Sequence, residues 1–448
     1  MALLFWKANL QNISSSIHHR NVWAIAGPMI LANLSTPLLG MVDTAVVGHL
    51  DSPVYIGAVA LGSMLFTFLF WGFGFLRMVT TGLTSQANAD DKHGSPRDVL
   101  LQSGVLALII ATVLLILQAP IGWLAFNIID GSHAVIAEAQ RYYAIRIWSA
   151  PATLLNYAIL GWLIGMSASR SALAVVLVIN LSNMLFDILL VNGFGMKADG
   201  VALATVIAEY AGLLFSLRLL QRRRLELQLI TFRQLMQLMQ ANRHKLNLHG
   251  NFMLRTLCLI FSFAFFTNQG AQAGDTTLAA NTVLLNFITF MAYVLDGFAN
   301  ATEVMSGKAI SHNSATILKR SLLLNGFWSL LTACLFSLIY WLFGEQLIAL
   351  LTSIDSVAAM ANEYHLWVVI APLIGVWSYL FDGLFVGATL GREMRNTMLF
   401  ATCFCFLPAW YLLQGLGNHG LWAALMIFLA ARGLSQGLYL PRIIKQLN

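Results

Sequence analysis

The chain has 448 residues, of which 58% are hydrophobic and only 10% charged, and its formal net charge is +6. A soluble domain carries about 25% charged residues, so a large soluble protein is excluded and a bilayer-embedded one is expected. The basic surplus does not point to nucleic acid, because Lys and Arg gather in short connectors between apolar runs and not along one face.

The amino-terminal Met1–Lys7 places a short apolar patch before the first Lys and lacks the order of a cleaved signal peptide. A membrane-crossing helix needs about 20 apolar residues. Twelve such stretches follow, at 22–48, 54–82, 99–123, 136–164, 172–192, 199–219, 248–272, 277–305, 317–343, 360–388, 395–414 and 420–440. With the amino terminus inside the cell, the inner connectors hold Lys92 and Arg97; Arg170; Arg222, Arg223, Arg224, Arg233, Arg243 and Lys245; Lys308, Lys319 and Arg320; Arg392 and Arg395; and Arg442 and Lys445. The outer connectors hold Lys197 alone. This asymmetry places both termini in the cytoplasm.

The chain reads as two related halves. Tyr143, Ala150-Pro151 and Gly161-x-x-x-Gly165 are echoed by Tyr364, Ala371-Pro372 and Gly383-x-x-x-Gly387, an offset of about 221 residues. Six spans per half make the repeat parallel, an arrangement used by transporters. The expected organisation is all-α: an amino-terminal lobe at 1–220, a linker at 221–247 and a carboxyl-terminal lobe at 248–448. In the linker, Leu225, Leu229, Phe232, Met236 and Met239 recur at helical spacing among basic residues. That pattern predicts an amphipathic helix on the inner membrane face.

Two carboxylates interrupt apolar spans where they are hardest to keep. Asp43 lies deep in the first span and Asp187 in the fifth. An ionised Asp at a membrane-helix centre is disfavoured by roughly 2.5–3.5 kcal/mol, so such groups face partners or a water path. Asn183, four residues before Asp187, shares its helical face, and Asn180 extends that face. Low dielectric disfavours the charged form, and neighbouring carboxylates resist ionising together. The pair is expected to titrate jointly, taking a proton or a sodium ion. Thr205 on the sixth span and Tyr142 on the fourth are candidate hydrogen-bond partners. Pro28 and Pro37 remove backbone hydrogen bonds from the first span and predict a bend.

Other intramembrane charges are candidates for substrate contact or for pairing between helices. Asp296 and Glu303, seven apart, share a face of the eighth span, and Arg255 on the seventh is expected to pair with one of them. Asp382 lies near the inner end of the tenth span and Glu209 near the middle of the sixth. Arg77, Arg146 and Arg432 are expected to snorkel or pair. Cys258, Cys334, Cys403 and Cys405 read as small apolar packing residues. No nucleotide-binding, metalloprotease or nucleophile-elbow motif occurs in the right context, so neither an enzyme nor a cofactor is expected.

The run Thr36-Pro-Leu-Leu-Gly-Met-Val-Asp43-Thr-Ala-Val-Val-Gly-His49, the Asn183-x-x-x-Asp187 pair and the six-plus-six spans resemble the MATE (multidrug and toxic compound extrusion) family. Gly48-His-Leu-Asp51-Ser-Pro-Val-Tyr55, Leu295-Asp296-Gly297-Phe298 and Met394-Arg-Asn396 look most like its DNA-damage-inducible protein F branch. The resemblance implies two lobes around a V-shaped cleft and export of drug-like molecules in exchange for protons, with sodium the alternative. It implies that Asp43 takes up the coupling cation beside Asn183, Asp187, Thr205 and Tyr142, and that Pro28 marks the bend of the first helix. NorM-like members carry a seventh-span acid that this chain lacks, while Asp382 resembles their tenth-span acid. The amino-terminal lobe is therefore the expected cation site. The resemblance also implies a bacterial inner-membrane location with lipid and small molecules, not nucleic acid, as partners, and a single chain as the functional unit. A lipid or lipid-linked precursor flippase is the second reading.

Overall fold

A computed structural model describes residues 18–48, 52–90, 92, 94–128, 132–222 and 243–447. The proposed linker helix and the amino-terminal patch lie outside the described residues. Among the described residues every regular element is helical. Twelve helices are long and apolar enough to cross a membrane. The first six are His19–Asp43, Pro53–Ala87, Pro96–Ile116, His133–Gly165, Ser169–Gly193 and Ala198–Arg222. The second six are Leu246–Gln272, Asp275–Ser311, Ala315–Leu351, Asp355–Gly387, Gly391–Leu416 and Asn418–Gln446. Each overlaps one expected span. The third differs most, because the chain turns at Leu117 and continues as a separate helix, Gln118–Ile128.

Local chemistry sets where the spans begin. Ser52 and Ser95 each precede a proline at the first helical turn, and their hydroxyls accept from the amides of Val54 and Arg97. Ser132 and Ser314 cap the fourth and ninth spans in the same way. A proline at that position costs nothing, since its missing N–H would be unsatisfied anyway. The outer surfaces carry bare apolar side chains: Leu323, Leu350 and Phe404 are 74%, 81% and 73% exposed. In water such a surface would associate; in a bilayer it is solvated. Cys334 and Cys403 belong to that exposed surface, so only Cys258 and Cys405 are partly enclosed.

The residues fall into two compact units. One comprises Leu34–Thr84 and Gly94–Leu246; the other comprises Met1–Asn33, Ser85–His93 and Asn247–Asn448. This division departs from the expected lobes at two places. Gln86 donates to the carbonyl of Gly387 at 2.7 Å, and Ser311 donates to the carbonyl of Gln86 at 2.9 Å, which fastens the end of the second span to the carboxyl-terminal unit. The first helix, continuous from His19 to Gly48, changes company between Asn33 and Leu34. Before that point Trp23 packs edge-on against Phe298 and Trp328, and Asn33 donates to the carbonyl of Tyr293 at 2.9 Å. After it, Ser35 accepts from Asn180 at 2.6 Å. Pro28 and Pro37 flank the change.

The repeat read from the sequence reappears as packing. In the amino-terminal unit Gly161 and Gly165 of the fourth span lie against Thr80 and Thr84 of the second. In the carboxyl-terminal unit Gly383 and Gly387 of the tenth span lie against Thr302 and Ser306 of the eighth. At each glycine a β-carbon would be driven into the facing helix: Arg77 and Thr81 carbonyls in one unit, Ala299 and Glu303 carbonyls in the other. The facing hydroxyls turn inward, with Thr80 donating to Leu76 O and Thr302 to Phe298 O. Small residues facing small residues let membrane helices approach closely.

Gly161→Val and Gly383→Val are each expected to cost about 1–3 kcal/mol through overpacking. Gly250→Ala, where nothing lies within 4 Å of the added carbon, is the control. Thermal unfolding of purified protein in detergent, followed by size-exclusion fluorescence, checks the difference.

Candidate cation-coupling site

The fifth span presents Asn180, Asn183 and Asp187 inward, at 6%, 1% and 0% exposure. Ser182 lies off that face, as the spacing requires. Asp43 reaches the same place from the first helix, so that the two carboxyls meet on the amide of Asn183. Neighbouring carboxylates in a low-dielectric site resist ionising together.

Asn183 ties the pair to the sixth span. Its amide nitrogen donates to Asp187 Oδ2 at 2.8 Å and to Asp43 Oδ1 at 3.2 Å, while its oxygen accepts from Thr205 Oγ1 at 3.0 Å. Thr205 Oγ1 also lies 2.9 Å from Val201 O. A hydroxyl carries one hydrogen and serves one acceptor at a time. With negative charge on the acids, the amide nitrogen faces them and Thr205 turns to the amide.

Two features were not visible in the sequence. The helix widens into a π-type turn over Ile188–Gly193, immediately after Asp187, and the eleventh span has a similar turn at Ala401–Phe406. Such turns recur at functional sites. Tyr142 also takes a different partner from the one expected. It is buried beside the acids, yet its hydroxyl pairs with Ser63 Oγ at 3.2 Å.

Pro28 sits within the half of the first helix that packs on the carboxyl-terminal unit, next to the tightly enclosed Gly297, which faces Ala26 and Ile30. In that unit the expected pairing of Arg255 with Asp296 or Glu303 is corrected. Arg255 donates to Asp382 Oδ2, which also accepts from Arg432 at 2.8 Å, while Asp382 Oδ1 accepts from Gln436 Nε2 at 2.6 Å. One buried carboxylate joins the seventh, tenth and twelfth spans. Two guanidinium groups satisfy it because a single partner leaves lone pairs unmet in a dry interior. Glu303 is buried on the eighth span, where its backbone carbonyl faces Gly387. Asp296 lies within electrostatic reach of Tyr293 and Tyr379. Both Asp382 oxygens are engaged by these donors.

The MatE family model matches this chain twice, over residues 28–189 and 251–411, once in each half. The chain belongs to the MatE family. It is 45% identical over 415 residues to DNA damage-inducible protein F of Escherichia coli (strain K12), covering 92% of this chain and 90% of that protein. It is 24% identical to multidrug resistance protein NorM of Vibrio cholerae, over 95% and 96% of the two chains. Its fold matches a multidrug resistance MATE family transporter solved in an outward-facing conformation, with a TM-score of 0.83, 19% identity and 96% of each chain covered. The double match agrees with the parallel repeat. As a MatE-family protein the chain is a multi-pass membrane transporter and not an enzyme.

Arg255→Gln is expected to destabilise the carboxyl-terminal unit by about 1–3 kcal/mol, since it removes one of the charged donors to the buried Asp382 carboxylate. Asn183→Leu is expected to cost about 1–3 kcal/mol and to lose most of that cost in an Asp187→Leu background. Thermal-shift measurements arranged as double-mutant cycles read both couplings.

Proposed function

We propose that this chain exports amphipathic, often cationic organic compounds in exchange for protons, as a multi-pass protein of the bacterial inner membrane with both termini in the cytoplasm. The observation that carries the reading is the pair of carboxyls, Asp43 and Asp187, gathered on Asn183 inside the amino-terminal unit. A proton is favoured over sodium as the coupling ion. Two carboxyls gathered on one amide resist ionising together, and a single proton relieves that repulsion. Asp382, the alternative cation-binding acid, is neutralised by Arg255 and Arg432. The same two ion pairs withdraw Arg255 from the basic surface that a lipid-phosphate flippase needs. The drug-like substrate class is supported by the name of the NorM relative and by the plastic Met and Phe content of the spans.

The first helix links proton state to shape. One half is held by Trp23 and Asn33 in the carboxyl-terminal unit, and the other carries Ser35 and Asp43 into the amino-terminal unit. Protonation alters what holds the second half, and the helix bends at Pro28, where a backbone hydrogen bond is already missing. The driving energy is adequate: about 2.3 kcal/mol per charge per 100 mV and about 1.4 kcal/mol per pH unit. The repeat within one chain makes the single chain the functional unit.

In proteoliposomes, with ethidium as the probe, a pH gradient alone is expected to drive transport and a sodium gradient alone is not. Asp43→Asn is expected to abolish the pH-driven component at equal protein incorporation. Sodium-driven transport, or unchanged pH-driven transport in the Asp43→Asn protein, contradicts the reading.

A further inference from the structure

The fourth span carries a polar face that the acid pair does not account for. Tyr142, Arg146, Ser149, Thr153 and Asn156 follow one another at spacings of four and three residues, so they line one side of the helix. All five are buried, at 3%, 8%, 0%, 3% and 1% exposure. The row extends about 21 Å at 1.5 Å per residue, most of the roughly 30 Å thickness of a bilayer core. Buried polar groups in a membrane helix are rare and mark ion pathways by default.

The row joins two acid centres. At one end Tyr142 lies beside Asp43 and Asp187. At the other, Asn156 Nδ2 donates to Glu209 Oε2 and to Glu209 O, each at 3.0 Å. Thr153 hydrogen-bonds the Glu209 carboxyl and lies 3.5 Å from Ser149 Oγ. Asn156 Oδ1 is buried without a hydrogen-bond partner among the described residues.

Arg146 stands between the two ends. Its guanidinium donates to Ser149 and lies 5.3 and 5.4 Å from the ring centres of Phe66 and Phe70. Among the described residues it makes no direct ion pair with any carboxylate. A buried guanidinium without a contact carboxylate is costly, and this one is within electrostatic reach of both Asp43 and Glu209. The other titratable group that faces Glu209 is Tyr157, which Arg77 of the second span also reaches. Arg146 itself is within electrostatic reach of Asp43, Tyr142, Tyr157 and Glu209.

We infer that Glu209 is a second proton-carrying carboxyl of the amino-terminal unit, and that Arg146 couples it to the Asp43–Asp187 pair so that a proton taken up by one is matched by a proton released from the other. When the pair is deprotonated, its negative charge balances Arg146 and Glu209 keeps its proton. When a proton arrives at the pair, forming an O–H bond on one carboxylate, the field of Arg146 falls on Glu209. The Glu209 O–H bond then breaks, the proton passes to water at this half-buried end of the row, and the carboxylate is held by Asn156 and Thr153. Arg146 carries no proton itself; it is a positioning residue acting through charge. The inference rests on proton-coupled transport as the function.

Two measurements separate the inference from that function. In proteoliposomes with ethidium, Glu209→Gln is expected to reduce pH-driven transport about tenfold while gradient-free ethidium counterflow persists. Arg146→Gln is expected to move the pH midpoint of transport upward by about one unit, and Arg146→Lys to restore it. Infrared difference titration of protein carrying isotope-labelled glutamate reads the Glu209 carboxyl without any drug. The expected result is one labelled carboxyl band, absent in Glu209→Gln, whose midpoint shifts in Asp43→Asn and in Arg146→Gln. Pathway and function fail differently. A wild-type protein that ignores a pH gradient overturns the proposed function. A pH-driven wild type whose profile is unmoved by Glu209→Gln and Arg146→Gln, or a glutamate band indifferent to Asp43→Asn, overturns the relay.

Discussion

A carboxylate in a low-dielectric interior must be neutralised, and the two units of this protein meet that demand with different cations. In the carboxyl-terminal unit Asp382 is held by Arg255, Arg432 and Gln436. Those cations are covalently part of the chain and cannot leave. In the amino-terminal unit Asp43 and Asp187 meet on Asn183, and the proposed neutralising cation is a proton, which can leave. One site is a permanent joint between three helices; the other is a joint whose strength depends on occupancy. On the proposed function, only the second couples a gradient to a change of shape.

The pseudo-symmetric scaffold makes that difference informative. Glycine pairs on the fourth and tenth spans meet hydroxyl residues on the second and eighth in the same way, so the backbones of the two units approach similarly. The exchangeable chemistry is laid over one copy alone. The amino-terminal unit also holds the polar row of the fourth span, whereas the tenth span places Val368, Ala371, Pro372 and Gly375 in its buried face. The first helix belongs in part to each unit, with Asn33 held in one and Asp43, ten residues later, in the other.

Much of this was legible in the residues. Twelve apolar runs, two halves and the Asn180–Asn183–Asp187 stripe follow from periodicity, because helical spacing leaves few ways to hide polar groups in a membrane. The partner of Arg255 was not legible. Spacing along one helix ranks Asp296 and Glu303 together but does not say which neighbouring helix Arg255 faces, and Asp382 won because it could satisfy two guanidinium groups at once. The Tyr142–Ser63 bond and the π-type turn after Asp187 were missed for a related reason: both depend on close approach between helices, which no local pattern encodes. The row on the fourth span was present in the sequence, at spacings of four and three, but the run is split among apolar residues and its significance emerges only once all five side chains are seen to be buried.

The account depends most directly on one shared proton between Asp43 and Asp187. Potentiometric difference titration of the purified protein at neutral pH counts it. Asp43→Asn and Asp187→Asn are each expected to lower the number of bound protons by one, and the double variant by the same one, because a lone carboxyl has no partner to share with. A double variant that loses two, or single variants that lose none, would contradict the account.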